Sequence, residues 1–375
     1  MLPFSHYTKE MKVSDIISCI EKVAPTSYQE SYDNSGLIIG DRNAALKGVL
    51  VSLDATEDVV DEAIALGFNM IVAHHPIIFG GLKKINGSNY VEKTVIKAIK
   101  NDIAIYAVHT NLDNVLRNGV NSKIAERLGL ENCRVIAPKK GILKKLYTYA
   151  PHAAAEKVRE ALFAAGAGDI GNYSECSFSV EGIGTFKGSD ESNPVIGERG
   201  IRHSEPEQKI EVILPAYRES AILSALIEAH PYEEVAYEIV SLDNSFNEVG
   251  SGLIGELSTP IDAMDFLRGL KATMNCECIR HTEIHKKEIK KIALCGGAGS
   301  FLLKQAISAG ADVFLSADFK YHEFFDAEKR IIIADIGHFE TEQFTIELIC
   351  EIISQNFTTF ALRQSKVKTN PVNYL

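Results

Sequence analysis

Apolar and polar positions follow two rhythms along the first third of the chain. "GVLVSLDAT" (48–56), "NMIVAHH" (69–75) and "IAIYAVHT" (103–110) are near-continuous apolar runs of strand length. Between and after them, "EDVVDEAIALG" (57–67), "YVEKTVIKAIKN" (90–101) and "NGVNSKIAERLGL" (118–130) carry apolar residues at helical spacing. Strands apolar on both faces, separated by helices, predict a parallel sheet covered on both sides. The rhythm resumes late in the chain: strands at "KKIALCGG" (290–297), "DVFLSAD" (312–318) and "RIIIADIG" (330–337), helices at "SFLLKQAISAG" (300–310), "YHEFFDAEK" (321–329) and "ETEQFTIELICEIISQ" (340–355).

The middle breaks this pattern. "KKLYTYAP" (144–151) reads as a strand, "AAAEKVREALFAAGAG" (153–168) as a helix and "SECSFSVEGIGTFKG" (174–188) as a strand or hairpin. After the polar, Gly-rich stretch 189–208 come the strand "KIEVILPA" (209–216), the helix "RESAILSALIEAH" (218–230) and the strand "VAYEIVSL" (235–242). Two successive β-α-β units describe a ferredoxin-like α+β module. Turn-rich "APKKG" (137–141) and "DNSFNEVGSG" (243–252) flank it. The expected organisation is an α/β domain of residues 1–134 and 251–375, interrupted by an inserted domain at 135–250. The first ten residues read as an untethered extension ahead of the helical "MKVSDIISCIEKVAP" (11–25).

Composition changes this picture little. A chain of 375 residues, 46% hydrophobic and 24% charged, is an ordinary soluble globular protein with room for two or three domains. A net charge of -11 argues against nucleic acid as main partner, since that affinity comes from neutralising phosphates. It leaves room for a small phosphorylated ligand. Seven scattered cysteines with no C-x-x-C pair and no signal peptide point to thiols in a cytoplasmic protein. Cys276 and Cys278 are too close for usual zinc spacing and read as alternating positions of a strand. No apolar run approaches the ~18 residues of a membrane span.

Candidate chemistry collects at strand ends, where parallel α/β sheets bind ligands. His74 and His75 end one strand and His109 the next, with Asp113 four residues later. His338 follows the last strand, with Glu342 four residues on; Asp54, Asp318 and His322 also sit at strand ends. Residues four apart share a helix face, and mixed imidazole and carboxylate ligands suit zinc, manganese, iron or cobalt. Adjacent His74 and His75 at a strand-to-loop junction could serve two neighbouring ions. Against this, a strand-end histidine is ordinarily a hydrogen-bonded structural group, and Asp113 and Glu342 could be first-turn helix acids. Weaker features are "GGAGS" (296–300), an anion cradle or a tight turn; "YDNSGL" (32–37), a plain Asx-type turn; and "HPYEEVAY" (230–237), a helix stop. No Ser or Cys sits in a recognisable nucleophile elbow.

Taken together, "YDNSGL", "AHHPIIF" (73–79), "VHTNLDN" (108–114), "GGAGS", "SADFKYHE" (316–323) and "GHFETE" (337–342) resemble the NIF-three-like family. Its members are often labelled GTP cyclohydrolase I type 2 homologs. The resemblance covers roughly residues 11–130 and 255–375, and the middle segment is similar to the insert of longer bacterial members, a CutA/PII-like module. It implies two related α/β lobes, a toroidal homohexamer, and two divalent ions per subunit on His74, His75, Asp113, His338 and Glu342. It further implies a hydrolase of a small nucleotide or phosphoester, with Glu342 holding the attacking water. His109 would be a substrate contact or outer support, and His322 a proton donor or phosphate contact. Where the family commonly has Trp before D-N-x-G-L, this chain has Tyr32 and no Trp at all. A metal- or nucleotide-responsive regulatory protein, with the insert as sensor or gate, is the alternative.

Overall fold

The computed structural model describes residues 10–375. The extension expected over the first ten residues lies, apart from Glu10, outside them. The described chain forms two compact units, residues 10–137 with 248–375, and residues 138–247.

In chain order the first unit opens with strands β1 (Gly36–Ile39), β2 (Val49–Ser52), β3 (Met70–Ala73), β4 (Ala104–Ala107) and β5 (Glu131–Lys140). The second unit holds β6 (Leu143–Pro151), β7 (Ser177–Lys187), β8 (Arg202–Pro215) and β9 (Tyr237–Leu242). The first unit then resumes with β10 (Ser245–Asp262), β11 (Arg280–His281), β12 (Glu288–Ala298), β13 (Val313–Ala317), β14 (Ile332–Asp335) and β15 (Leu362–Gln364).

The first unit has two sheets, ordered β1-β4-β3-β2-β15 and β11-β14-β13-β12-β10-β5. Each contains three consecutive parallel strands, β2-β3-β4 or β12-β13-β14, capped by one antiparallel edge strand, β1 or β11. Every position of β2, β3, β4, β13 and β14 is buried, as their apolar runs require. Helices Val13–Val23, Val120–Arg127, Ala263–Thr273 and Thr345–Asn356 share one apolar core with both sheets, so the two lobes are cemented through a common helical layer. The helix Glu57–Leu66 starts where Thr56 accepts a hydrogen bond from the Val59 amide and stops at left-handed Gly67.

The second unit is a four-stranded antiparallel sheet ordered β7-β8-β6-β9. Helices His152–Ala164 and Glu219–Ala229 pack on it through a separate core that includes Leu146, Val158, Leu162, Ile210, Val212 and Leu226.

Three expectations need correction. The flanks read as turn-rich are largely strand: "APKKG" runs into β5 and "DNSFNEVGSG" into β10, while β8 begins at Arg202 within the polar, Gly-rich stretch. A ladder is made by backbone groups, and these strands alternate exposed and buried positions, so polar residues do not forbid pairing. Cys276 and Cys278 lie outside any strand, just beyond the helix Ala263–Thr273. The helix expected over 321–329 is a 3-10 helix, Tyr321–Ala327, rather than an α-helix. All seven cysteines are free thiols, and among the described residues no helix is long and apolar enough to cross a membrane.

Candidate metal centre

Four histidines and two carboxylates meet at the carboxyl ends of β3, β4 and β14. The amides of His74 and His75 still donate into the β2 side, to the carbonyls of Ser52 (3.2 Å) and Leu53 (2.9 Å). The strand therefore carries both imidazoles to the sheet's end before Pro76 interrupts it. His109 caps the short helix Thr110–Asp113, which ends on the Asp113 carboxylate. After β14, Gly337 adopts φ 101°, open chiefly to glycine, and starts the helix His338–Glu342. That helix presents its first and last side chains on one face, so His338 Nε2 lies 3.1 Å from Glu342 Oε2.

Each imidazole is gripped at Nδ1 by an oxygen. His74 Nδ1 donates to the Val108 carbonyl (2.8 Å), His75 to Asp54 (2.8 Å), His109 to Asp33 (2.8 Å) and His338 to Asp318 (2.6 Å). A donor at Nδ1 leaves Nε2 for the cluster, the tautomer a metal-binding histidine uses. The Nε2 atoms of His75 and His338 lie 3.4 Å apart and both approach Glu342 Oε2, at 2.9 Å and 3.1 Å. On the other side, His74 Nε2 is 3.6 Å from Asp113 Oδ1 and 3.7 Å from Glu342 Oε1.

Those last contacts are too long for hydrogen bonds. His74 Nε2 and Asp113 Oδ1 are buried with no hydrogen-bond partner. Buried unsatisfied polar atoms carry a penalty of about 1–3 kcal/mol each. Two of them facing one another beside a third ligand atom fit a cation. Three overlapping ligand groups, His74–His75–His109, His75–His338–Glu342 and His74–Asp113–Glu342, each keep their donor atoms within 4.8 Å. His74, His75 and Glu342 each belong to two of these groups, which suits adjacent ions sharing a carboxylate.

The charges say the same. Burial would push the Glu342 carboxyl up, but His74, His338 and His75 around it hold it well below its ordinary range. Asp113 goes the other way, raised by burial and by the Glu342 charge. Burial draws His74 down, towards the neutral form. His75 and His338 resist the same burial through their carboxylate partners, Asp54 with Glu342 and Asp318 with Glu342, and rise to about 9 and about 11. Without bound cations the cluster would keep protons in their place to balance the acids.

The structure therefore brings together His74, His75, His109, Asp113, His338 and Glu342. It does not bring His322 to them. Asp318 takes a left-handed φ of 58° just after β13, which aims its own carboxylate at His338 and turns the chain outward. His322 is left exposed, packed against the rings of Tyr321 and Phe325.

Sequence reasoning missed Asp33. "YDNSGL" is more than a turn: the fully buried Asp33 carboxylate takes His109 Nδ1, the Thr110 amide (3.0 Å) and hydroxyl (2.5 Å), and the Ser35 hydroxyl (2.9 Å). An acid whose main partners, His109 and Thr110, lie 76 and 77 residues along the chain is a weak signal without the fold. "GGAGS" is likewise explained by packing. The Gly296 and Gly297 amides are committed to Asn121 and Thr341, and a Cβ on Gly297 (φ 62°) would stand 2.4 Å from Glu342 Oε1. "HPYEEVAY" is a helix stop as read, with buried His230 bonded to the Tyr149 carbonyl.

The Duf34/NIF3 (NGG1p interacting factor 3) family model matches residues 11–371. The chain is 40% identical over 333 residues to a protein of Halalkalibacterium halodurans named GTP cyclohydrolase 1 type 2 homolog, covering 88% of this chain and 89% of that one. A Bacillus subtilis protein of the same name is 38% identical over 98% of this chain and the whole of its own. Among solved structures, a Bacillus cereus protein related to NIF3 superposes with TM-score 0.85 at 39% identity, covering 98% of this chain and 100% of that one. A match to CutA from Synechococcus elongatus covers 28% of the chain at TM-score 0.22, too slight to bear on the second unit.

Proposed function

The chain belongs to the Duf34/NIF3 family, and on that premise we propose that it is a dinuclear metal-dependent hydrolase of a small nucleotide or phosphoester. The carrying observation is the set of four imidazoles held at Nδ1, three of which (His74, His75 and His338) turn Nε2 towards Glu342, together with the unbonded pair His74 Nε2 and Asp113 Oδ1. His74 and Asp113 would hold one ion and His75 and His338 the other, with Glu342 reaching both. Bound there, two divalent cations supply Lewis-acid polarisation of a substrate oxygen or ring carbon and acidify a water towards ~7. The protein's own part is orientation and proton handling. Asp54, Asp318 and Val108 fix the ligand tautomers. His109, backed by buried Asp33 and standing edge-on to Phe79, is placed to exchange a proton with substrate at the cavity floor. Zinc, manganese, iron and cobalt all suit this ligand set.

The relatives' name, GTP cyclohydrolase 1 type 2 homolog, makes water attack on a guanine ring the first reaction to try. The test is metal content alongside turnover. Stoichiometric metal, with turnover lost in His75→Ala, supports the reading; full turnover in demonstrably metal-free protein sinks it.

The second unit favours an additional, regulatory reading. It has its own core and its own cavity of about 960 Å³, lined in part by Tyr149, Phe186, Glu207 and Tyr232. Its strand order β9-β6-β8-β7 supports a ferredoxin-like domain, inserted into the metal-binding one. The family resemblance further supports a cytoplasmic homohexamer, which light scattering of the purified protein would test.

A further inference from the structure

We infer that the cavity over the metal cluster recognises the flat ring of a substrate carrying at most one phosphate, and disfavours a triphosphate chain. This rests on the metal-centre reading above. The cavity holds about 730 Å³, within the range of small-molecule sites. Two features of its lining carry the inference.

The first is aromatic. Tyr32, Phe79, Tyr90 and Phe301 all line this one cavity, and they are 70%, 57%, 66% and 61% exposed. They come from four separate segments of the chain, so no single local pattern explains their gathering. Exposed aromatic rings grouped around a concave site offer faces on which a planar heterocycle stacks. Tyr32 offers such a face beside the cluster.

The second is charge. The lining carboxylates are Glu30, Asp54, Asp113 and Glu342, and among the described residues neither Lys nor Arg lines the cavity. Phosphate chains are ordinarily met by guanidinium or ammonium groups. With ligands deprotonated, four carboxylates carry four negative charges and two divalent ions carry four positive ones. The loaded site is then close to neutral. A single phosphate can share the ions, but a triphosphate brings about four charges that nothing on the cavity wall offsets. The ring gives the affinity and the ions meet one oxyanion at most.

The test uses the full chain loaded with manganese and titrated by calorimetry with guanosine, GMP and GTP, which share one ring and differ in charge. Metal content is measured again after each titration, so that stripping of ions by the triphosphate is not read as weak binding. Guanosine and GMP are expected to bind, and GTP at least tenfold more weakly than GMP. Phe301→Ala and Tyr32→Ala are each expected to weaken GMP by about tenfold with metal content unchanged. Tightest binding by GTP, or equal binding by inorganic triphosphate without any ring, overturns the inference and leaves the metal centre standing. So does a fully metalled protein that binds no member of the series. A protein that takes up no metal overturns the proposed function itself, and this inference with it.

Discussion

Each imidazole of the cluster is held from behind before anything meets it in front, and the holding groups are where residue-scale predictions lie. The Asp33 side chain is buried and accepts from an imidazole, two amides and two hydroxyls, so removing it strands several donors at once. Asp33→Ala should destabilise the protein by about 3 kcal/mol in urea unfolding. Protons give a second prediction. Their carboxylate partners push His75 and His338 up to about 9 and about 11, so without bound ions both would be charged at neutral pH. A bound ion must displace those protons. Apparent metal affinity should therefore rise with pH between 7 and 9, by about tenfold per unit for each proton released. Chelator competition at pH 7 and 8 would measure it, and a flat profile would contradict it. The sign for the ion-free fold is opposite. A raised imidazole pKa gives stability that is full below the unfolded value of about 6.5 and is lost as pH rises through about 9. The histidines and their acids were legible in the sequence because strand ends are readable. Asp33 and Thr369, whose hydroxyl holds Asp54 at 2.5 Å, were not, because they come from coil 76 and 315 residues away from the His109 and Asp54 they hold.

At the scale of elements, legibility followed burial. The strands β2, β3, β4, β13 and β14 and their helices announce themselves because both faces are covered and the apolar run is unbroken. β5, β10 and the first half of β8 hid because polar residues sit on their exposed positions, while the second half of β8 was read as the strand "KIEVILPA". The carboxyl end of β12 shows how an element serves the site. Gly297 sits at φ 62°, which costs an L side chain about 1–2 kcal/mol, and its missing Cβ is what lets Glu342 close against the strand. Gly297→Ala should leave far-UV circular dichroism intact while lowering metal retention during dialysis against chelator. Unchanged retention would mean that Glu342 tolerates displacement. Thr56→Ala, by contrast, removes only a helix cap and should cost about 1 kcal/mol with no effect on metal.

For the whole molecule, the two sheets of the first unit repeat one plan, β1-β4-β3-β2 matched by β11-β14-β13-β12. The metal cluster draws on both: His74, His75 and Asp113 from the first, His338 and Glu342 from the second. Such a site needs both lobes but no residue from the second unit. The chain leaves for that unit along β5 and returns along β10, neighbours in one sheet. Gly252 packs near Ile136 and Gly255 near Cys133, so these strands run antiparallel and their ends meet where the insert departs. Replacing residues 138–247 by a short Gly/Ser linker from Ala137 to Glu248 should therefore close a hairpin and preserve the core. The expected outcome is unchanged metal stoichiometry by elemental analysis and unchanged cooperative unfolding of what remains. Loss of metal in a folded deletion variant would show that the insert supports the site at a distance. If turnover survives while its response to an added effector disappears, the insert is a regulatory appendage, as its separate core and cavity would lead one to expect.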